Sequence, residues 1–175
     1  MRWLLALVIV AAPAAARAEV VSANANGFEI RHAVQIVIPQ AAAFDAFARI
    51  PLWWNAEHTY SGDSANLSLS LTPGGCFCER LPKGGGIEHM RVSFVVPGER
   101  LVLTGALGPL LYEAAAGVMD VKVERIAGGS RLVLNYRVAG FANGGADRLA
   151  PLVDQVLGDQ MARFRKYAAA ARRNN

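Results

Sequence analysis

Cys76 and Cys78 are the two cysteines of the chain, and Phe77 separates them in the run Cys76-Phe77-Cys78-Glu79. Thiols at that spacing have three uses: a disulfide in an oxidising compartment, a pair of metal ligands, or small apolar residues of a wall. Alternate side chains of an extended strand stand about 6.6 Å apart, whereas a disulfide brings its Cβ atoms to about 3.5–4.5 Å, so bridging would break the strand. The spacing therefore predicts unbridged thiols, with the disulfide as the alternative that an oxidising compartment favours. A metal would need further ligands from His32, His58, His89 or Glu79, and none stands at metal-site spacing from the cysteines. Neither a metal nor a cofactor is expected.

Hairpin parity assigns the faces. Leu67, Leu69 and Leu71 alternate with Ser68 and Ser70 before the turn Thr72-Pro73-Gly74-Gly75. A turn that sets Leu71 opposite Cys76 sets Leu69 opposite Cys78, so both thiols share the leucine face. In the next hairpin, Leu81 opposite Ile87 places Cys78 opposite Met90 and Cys76 opposite Val92, again the apolar side. Glu79 and His89 then form an outward cross-strand pair. A slip of one residue would invert every one of these assignments.

The other polar candidates follow the same logic. His32 has the parity of Ile30 and Val34, and Tyr136 that of Leu132 and Leu134, so both point inward, as ligand anchors or as hydrogen-bonded core residues. Trp53 and Trp54 precede Asn55, Glu57, His58, Thr59 and Tyr60, a run of donors and acceptors suited to the rim of a cavity mouth. No phosphate loop, nucleophile elbow, paired-histidine zinc motif or Ser-His-Asp arrangement is present. No residue is assigned a catalytic role.

The elements that must hold these residues are mostly strands. Phe28 to Ile38 alternates as a first strand, Gln40 to Arg49 has helical spacing, and Pro51 opens a short turn carrying the tryptophans. Strands follow through 67–71, 76–79, 89–96, 100–104, 118–126 and 131–138, divided by Gly- and Pro-containing turns. Gly105 to Gly117 reads as a long connection bearing Leu110, Leu111 and Tyr112, in a position to gate a cavity. From about Gly145 to Arg172 an apolar stripe at three- and four-residue steps predicts one long helix. Gly158 in its middle suits a close approach or a shallow bend.

One helix cannot fill the concavity of a curved sheet, which predicts a ligand-sized cavity between them. Its expected walls are Leu69, Cys76, Cys78, Met90, Val92 and Phe94 from one half of the sheet, and Met119, Val121, Leu134, Tyr136 and His32 from the other. Trp53, Trp54 and Tyr112 add the loops, and Val153, Val156, Gln160 and Phe164 the helical roof.

The first residues read as a processing signal: Arg2, the apolar run Trp3 to Ala12, and Ala16-Arg17-Ala18 as a cleavage site. The expected organisation is a signal peptide over 1–18 and one ligand-binding domain over 19–175. Export is expected, to the periplasm in a Gram-negative host. Cleavage removes Arg2 and Arg17, so the formal charge falls from +4 to +2. With the basic residues spread singly among acids, that charge argues against a nucleic-acid partner. The cluster of Arg163, Arg165, Lys166, Arg172 and Arg173 complements the dipole at the end of the last helix, with a peripheral membrane contact as the alternative. A monomer is expected.

The order Ile50-Pro51-Leu52-Trp53-Trp54, Pro73-Gly74-Gly75, Pro97-Gly98-Glu99-Arg100-Leu101-Val102-Leu103 and Gly129-Ser130-Arg131-Leu132-Val133-Leu134 resembles the START-like superfamily. This is the group also called Bet v 1-like or SRPBCC. The resemblance is greatest to its polyketide cyclase-like and Hsp90-ATPase-activator-homology branch, and it covers nearly all of the mature chain. It implies an α+β helix-grip fold: a curved seven-stranded antiparallel sheet, two short helices and a long C-terminal helix over a mostly apolar cavity. For function, the resemblance implies a cavity and no more. The expected function is that of an exported carrier or sensor of a small hydrophobic molecule such as a lipid or polycyclic compound. A cyclase- or dehydratase-like enzyme using His32, His58 or Tyr136, or a protein-interaction module, are the alternatives. The export signal departs from a cytosolic chaperone partner, and Cys76-Phe77-Cys78 stands where relatives more often carry polar or basic residues.

Overall fold

The computed structural model describes residues 18–171; the expected signal segment lies outside them, except for its last residue. Eight strands form one antiparallel sheet among the described residues: β1 (Ala18–Asn24), β2 (Gly27–Ile36), β3 (Leu67–Leu69), β4 (Cys76–Arg80), β5 (Gly86–Val96), β6 (Arg100–Gly105), β7 (Ala114–Ile126) and β8 (Gly129–Phe141). Their spatial order is β1-β2-β8-β7-β6-β5-β4-β3. Helix α1 (Gln40–Ala48) and a set of short 3-10 turns link β2 to β3, and α2 (Ala146–Ala171) closes the chain. The fold is the α+β helix-grip type, with eight strands in place of seven. The added strand is β1, which pairs with β2 from Ala18 opposite His32 to Asn24 opposite Gly27.

The core forms where sheet alternation meets the helical stripe. Phe28, Ile30, His32, Val34 and Ile36 of β2 are buried in turn, as are Leu132, Leu134, Tyr136 and Val138 of β8. Leu157, Met161, Phe164 and Ala168 of α2 pack onto this face, because i, i+4 and i+7 fall on one side of a helix. Phe164 meets Phe47 of α1 and Trp53 edge-to-face, with centroids 5.5 and 5.4 Å away. Trp53 is further held by its indole N–H, which donates to the Phe47 carbonyl. Gly158 serves close approach: a Cβ there would lie 3.3 Å from Cε1 of His32.

Two expectations fail here for identifiable reasons. The stretch Gly105 to Gly117 is not one long connection. β6 runs to Gly105 and β7 begins at Ala114, so only residues 106–113 connect them, most of these in the turn Gly108–Tyr112. Small residues over 114–117 resemble a loop in composition, yet they pair with Val138–Phe141. Gly117 is required there, since a Cβ would sit 2.5 Å from the Tyr136 ring.

The second correction concerns β4. Leu69 lies opposite Phe77 and Ser68 opposite Cys78, one residue from the expected register, so Phe77 and Glu79 face inward and the cysteines outward. Against β5, Cys76 opposes Arg91 and Phe77 opposes Met90, while Cys78 opposes Glu88; the register shifts between Phe77 and Cys78. The extra residue there is His89 of β5. The free-thiol expectation fails separately. Cys76 and Cys78 are joined by a disulfide, with Cα atoms 5.3 Å apart, inside the range a disulfide spans and short of a regular strand's two-residue step. β4 is thus contracted locally between the two cysteines.

Candidate functional site

A cavity of about 490 Å³ lies between the N-terminal half of α2 and the β3–β5 end of the sheet. Leu149, Leu152, Val153, Val156 and Leu157 of α2 form one wall, and Leu107 to Leu110 with Tyr112 form a second. Trp54 and the segment Glu57 to Tyr60 close a third side, while Leu67, Phe77 and His89 supply the sheet's contribution. Tyr112 is 76% and Leu152 60% exposed, which places them at the mouth.

Polar contacts hold these walls in place. Asn55 binds the tryptophan loop to α2: its backbone N–H donates to Oε1 of Gln160 and its Nδ2 to Oδ2 of Asp159, each at 2.9 Å. Its Oδ1 accepts the N–H of Glu57 at 3.1 Å, which starts the turn that carries Glu57 and His58. On the opposite wall the N–H of Leu107 donates to the Tyr136 hydroxyl at 3.1 Å. Burial pushes the Tyr136 phenol up to about 12, so it stays neutral and acts as a strut for the connection.

The chemically distinctive feature is a buried pair on the sheet side. Glu79 is 1% and His89 4% exposed, and Nε2 of His89 lies 3.0 Å from Oε2 of Glu79. The outward pair expected from parity is thus an inward one, because the one-residue slip turns Glu79 to the core. The N–H groups of Tyr60 and Ser61 donate to the same carboxylate, at 3.1 and 2.5 Å. Burial alone would raise the Glu79 pKa, but these donors from Ser61, Tyr60 and His89 outweigh it and hold the carboxyl below its ordinary range. The imidazole is flanked by the Phe77 ring at 5.1 Å and the Tyr60 ring at 6.0 Å. Burial and the neighbouring Tyr112 raise the Tyr60 phenol, which keeps its proton.

Four of the residues expected to wall a cavity do so: Trp54, Tyr112, Val153 and Val156. Glu57, His58, Thr59 and Tyr60, expected at a mouth, line it too. The rest lie elsewhere. Trp53, Met90, Val92, Met119, Val121, Leu134 and Phe164 are packed core, Leu69 is half-buried against that core, and Phe94 is exposed. Cys76 and Cys78 sit on the other face of β4 in their disulfide. Gln160 and Tyr136 anchor the walls through the hydrogen bonds to Asn55 and Leu107. His32 is inward but stands behind α2, with Nε2 2.8 Å from Oδ1 of Asp154; burial lowers its pKa, and Asp154 only partly offsets this. Sequence reasoning missed Leu67, Phe77, His89 and the supporting Glu79. The Phe-x-Glu alternation of β4 was the available signal, had the cysteines been placed outward. Among the described residues no cluster of His, Cys, Asp or Glu could hold a metal ion, and no helix is long and apolar enough to cross a membrane.

No family model matches the chain, and no curated protein does. Solved structures of the same fold do. An uncharacterized protein from Rhizobium leguminosarum aligns over 87% of this chain and 97% of its own, with 18% identity and a TM-score of 0.59. DynU16, a putative protein of the dynemicin biosynthetic locus, aligns over 79% of this chain and 46% of its own, at 16% identity and a TM-score of 0.56. The di-domain ARO/CYC protein BexL aligns over 82% of this chain and 49% of its own, at 16% identity and a TM-score of 0.55. The chain thus spans about half of each of the last two. These likenesses establish the shared fold.

Proposed function

We propose that the chain is an exported protein that binds one small apolar molecule, such as a lipid or polycyclic compound, in the cavity beneath α2, as a carrier or sensor. The observation that carries this reading is the cavity itself: about 490 Å³ lies within the roughly 300–1,000 Å³ of small-molecule sites. Its walls are mainly Leu, Val, Trp and Phe, with polar groups from Glu57 to Tyr60, His89, Tyr112 and Glu113. Such a composition rewards burial of apolar surface and leaves orientation to a small number of hydrogen bonds. A fold neighbour named as an ARO/CYC protein of a biosynthetic pathway supports a small-molecule ligand.

Titration with N-phenyl-naphthylamine, whose fluorescence rises on transfer to an apolar site, tests the reading. The native chain is expected to bind it saturably at one site. Val153→Trp, which fills the cavity from α2, is expected to abolish binding while the far-UV circular dichroism is retained. Equal binding by a folded Val153→Trp variant would remove the proposal. The buried His89–Glu79 pair on the wall favours a second reading, a cyclase- or dehydratase-like enzyme in the same cavity. Acid-base work requires a titratable group within about 2.6–3.2 Å of the reacting proton. Among the histidines only His58 and His89 border the space.

A further inference from the structure

Glu79 receives hydrogen bonds from the N–H groups of Tyr60 and Ser61, and with His89 these donors keep its carboxylate ionised. An ionised carboxylate only accepts, so the hydrogen between Glu79 and His89 belongs to Nε2 of the ring. In the neutral imidazole Nδ1 is then the acceptor. That atom is buried and has no hydrogen-bond partner, although His89 belongs to the cavity wall. A buried polar atom left unpaired is costly, and a native site that tolerates one is frequently completed by something else. Of the two rings that flank the imidazole, Phe77 is buried and Tyr60 is exposed, so Tyr60 is the one free to turn aside as a ligand group approaches.

We infer that the cavity takes an apolar molecule bearing a hydroxyl, whose O–H donates to Nδ1 of His89, with Glu79 as the positioning residue that fixes the ring's tautomer. This inference rests on the cavity-binding reading and adds to it the class of ligand. It sets a sign for selectivity. A hydroxyl supplies the missing donor, whereas an ether or carbonyl oxygen at the same place faces a lone pair and is disfavoured. The rest of the molecule is read by the apolar walls.

β-Naphthol and its methyl ether form a matched pair of probes in which a methyl group replaces the hydroxyl hydrogen, and the added methyl itself favours the ether in an apolar site. Calorimetric titration of the full chain at pH 8 is expected to show the naphthol binding about tenfold tighter, the equivalent of one buried hydrogen bond. His89→Phe should bring the two affinities together by weakening the naphthol alone. Because that variant leaves Glu79 without a partner and can fail to fold, imidazole nitrogen NMR of the unaltered protein provides an independent reading. The Nδ1 resonance of His89 should shift on adding β-naphthol and stay in place with the ether. Equal affinities in the unaltered protein, or an Nδ1 resonance that ignores both probes, would overturn the inference while leaving apolar binding intact. Binding of neither probe would remove the cavity reading and this inference together.

Discussion

Truncating Phe164 separates packed core from cavity wall. Its side chain is 0% exposed and closes an aromatic cluster with Phe47 and Trp53, on the part of α2 that lies beyond the cavity. Phe164→Ala removes the ring and leaves a void that the α1–α2–sheet junction can only partly fill, a change that costs about 3–5 kcal/mol in tightly packed cores. The ring also makes two edge-to-face pairings, each worth about 0.5–1.5 kcal/mol beyond area burial, and their removal places the expectation in the upper half of that range. In a chain of 175 residues, where each kcal/mol moves the midpoint by about 2–4 °C, the melting temperature should fall by roughly 10–15 °C. Urea denaturation followed by tryptophan fluorescence and circular dichroism measures the destabilisation. At a temperature where the variant remains folded, its affinity for N-phenyl-naphthylamine should equal that of the native chain. A destabilisation below about 1.5 kcal/mol with altered probe affinity would show that the ring borders open space, and would refute this division between core and cavity.

Three further outcomes follow from other parts of the molecule. A non-reduced peptide map should recover Cys76 and Cys78 in one linked fragment that takes up a thiol reagent only after reduction; labelling of both without reductant would contradict the contracted β4. Gly158→Val should destabilise by about 1–3 kcal/mol, because added methyl groups enter a space already closed by His32. Gly158→Ala should lie near neutral, its gain of about 1 kcal/mol in helix propensity offsetting the tight contact. Urea midpoints for the pair measure the difference, and equal midpoints would count against the contact. Finally, burial lowers the His32 pKa below its ordinary 6.5. As pH falls the unfolded chain therefore takes up that proton first, and stability, full above about 6.5, declines toward the lower folded value. Urea midpoints from pH 7.5 to 5.5 should show this slope, and His32→Phe should flatten it; the same slope in the variant would exclude His32 as its source.

Much of the architecture was legible because it repeats. Alternation in β2, β5, β7 and β8 and the stripe of α2 each draw on several residues, so one ambiguous position does not change the reading. The segment Glu57 to Tyr60 was legible as a rim from its polar character after two tryptophans. What the sequence hid has local causes. β1 is an edge strand whose residues from Ser22 to Asn24 are exposed and polar or small, and the strand start at Ala114–Gly117 is made of residues that favour loops. The β4 error has a more consequential cause. Parity arguments carry a strand's faces from one turn: the β3–β4 pairing is offset by one residue from the expected register, and the extra residue His89 of β5 breaks the count between β4 and β5. A local contraction of β4 permits the disulfide that ideal strand spacing forbids, and the one-residue offset turns Glu79 to the side of His89. The cavity also sits farther toward the N-terminal end of α2 than a uniform concavity implies. Phe47, Trp53 and Phe164 fill the other end, which is why Met119, Val121 and Leu134 pack as core.

A crystal structure of the protein grown with saturating N-phenyl-naphthylamine tests the central claim most directly. The cavity account predicts one probe molecule between α2 and the sheet, in contact with Trp54, Val153 and Phe77 and overlooked by Tyr112 at the mouth. An empty cavity, with the probe held only at other surfaces, would contradict it.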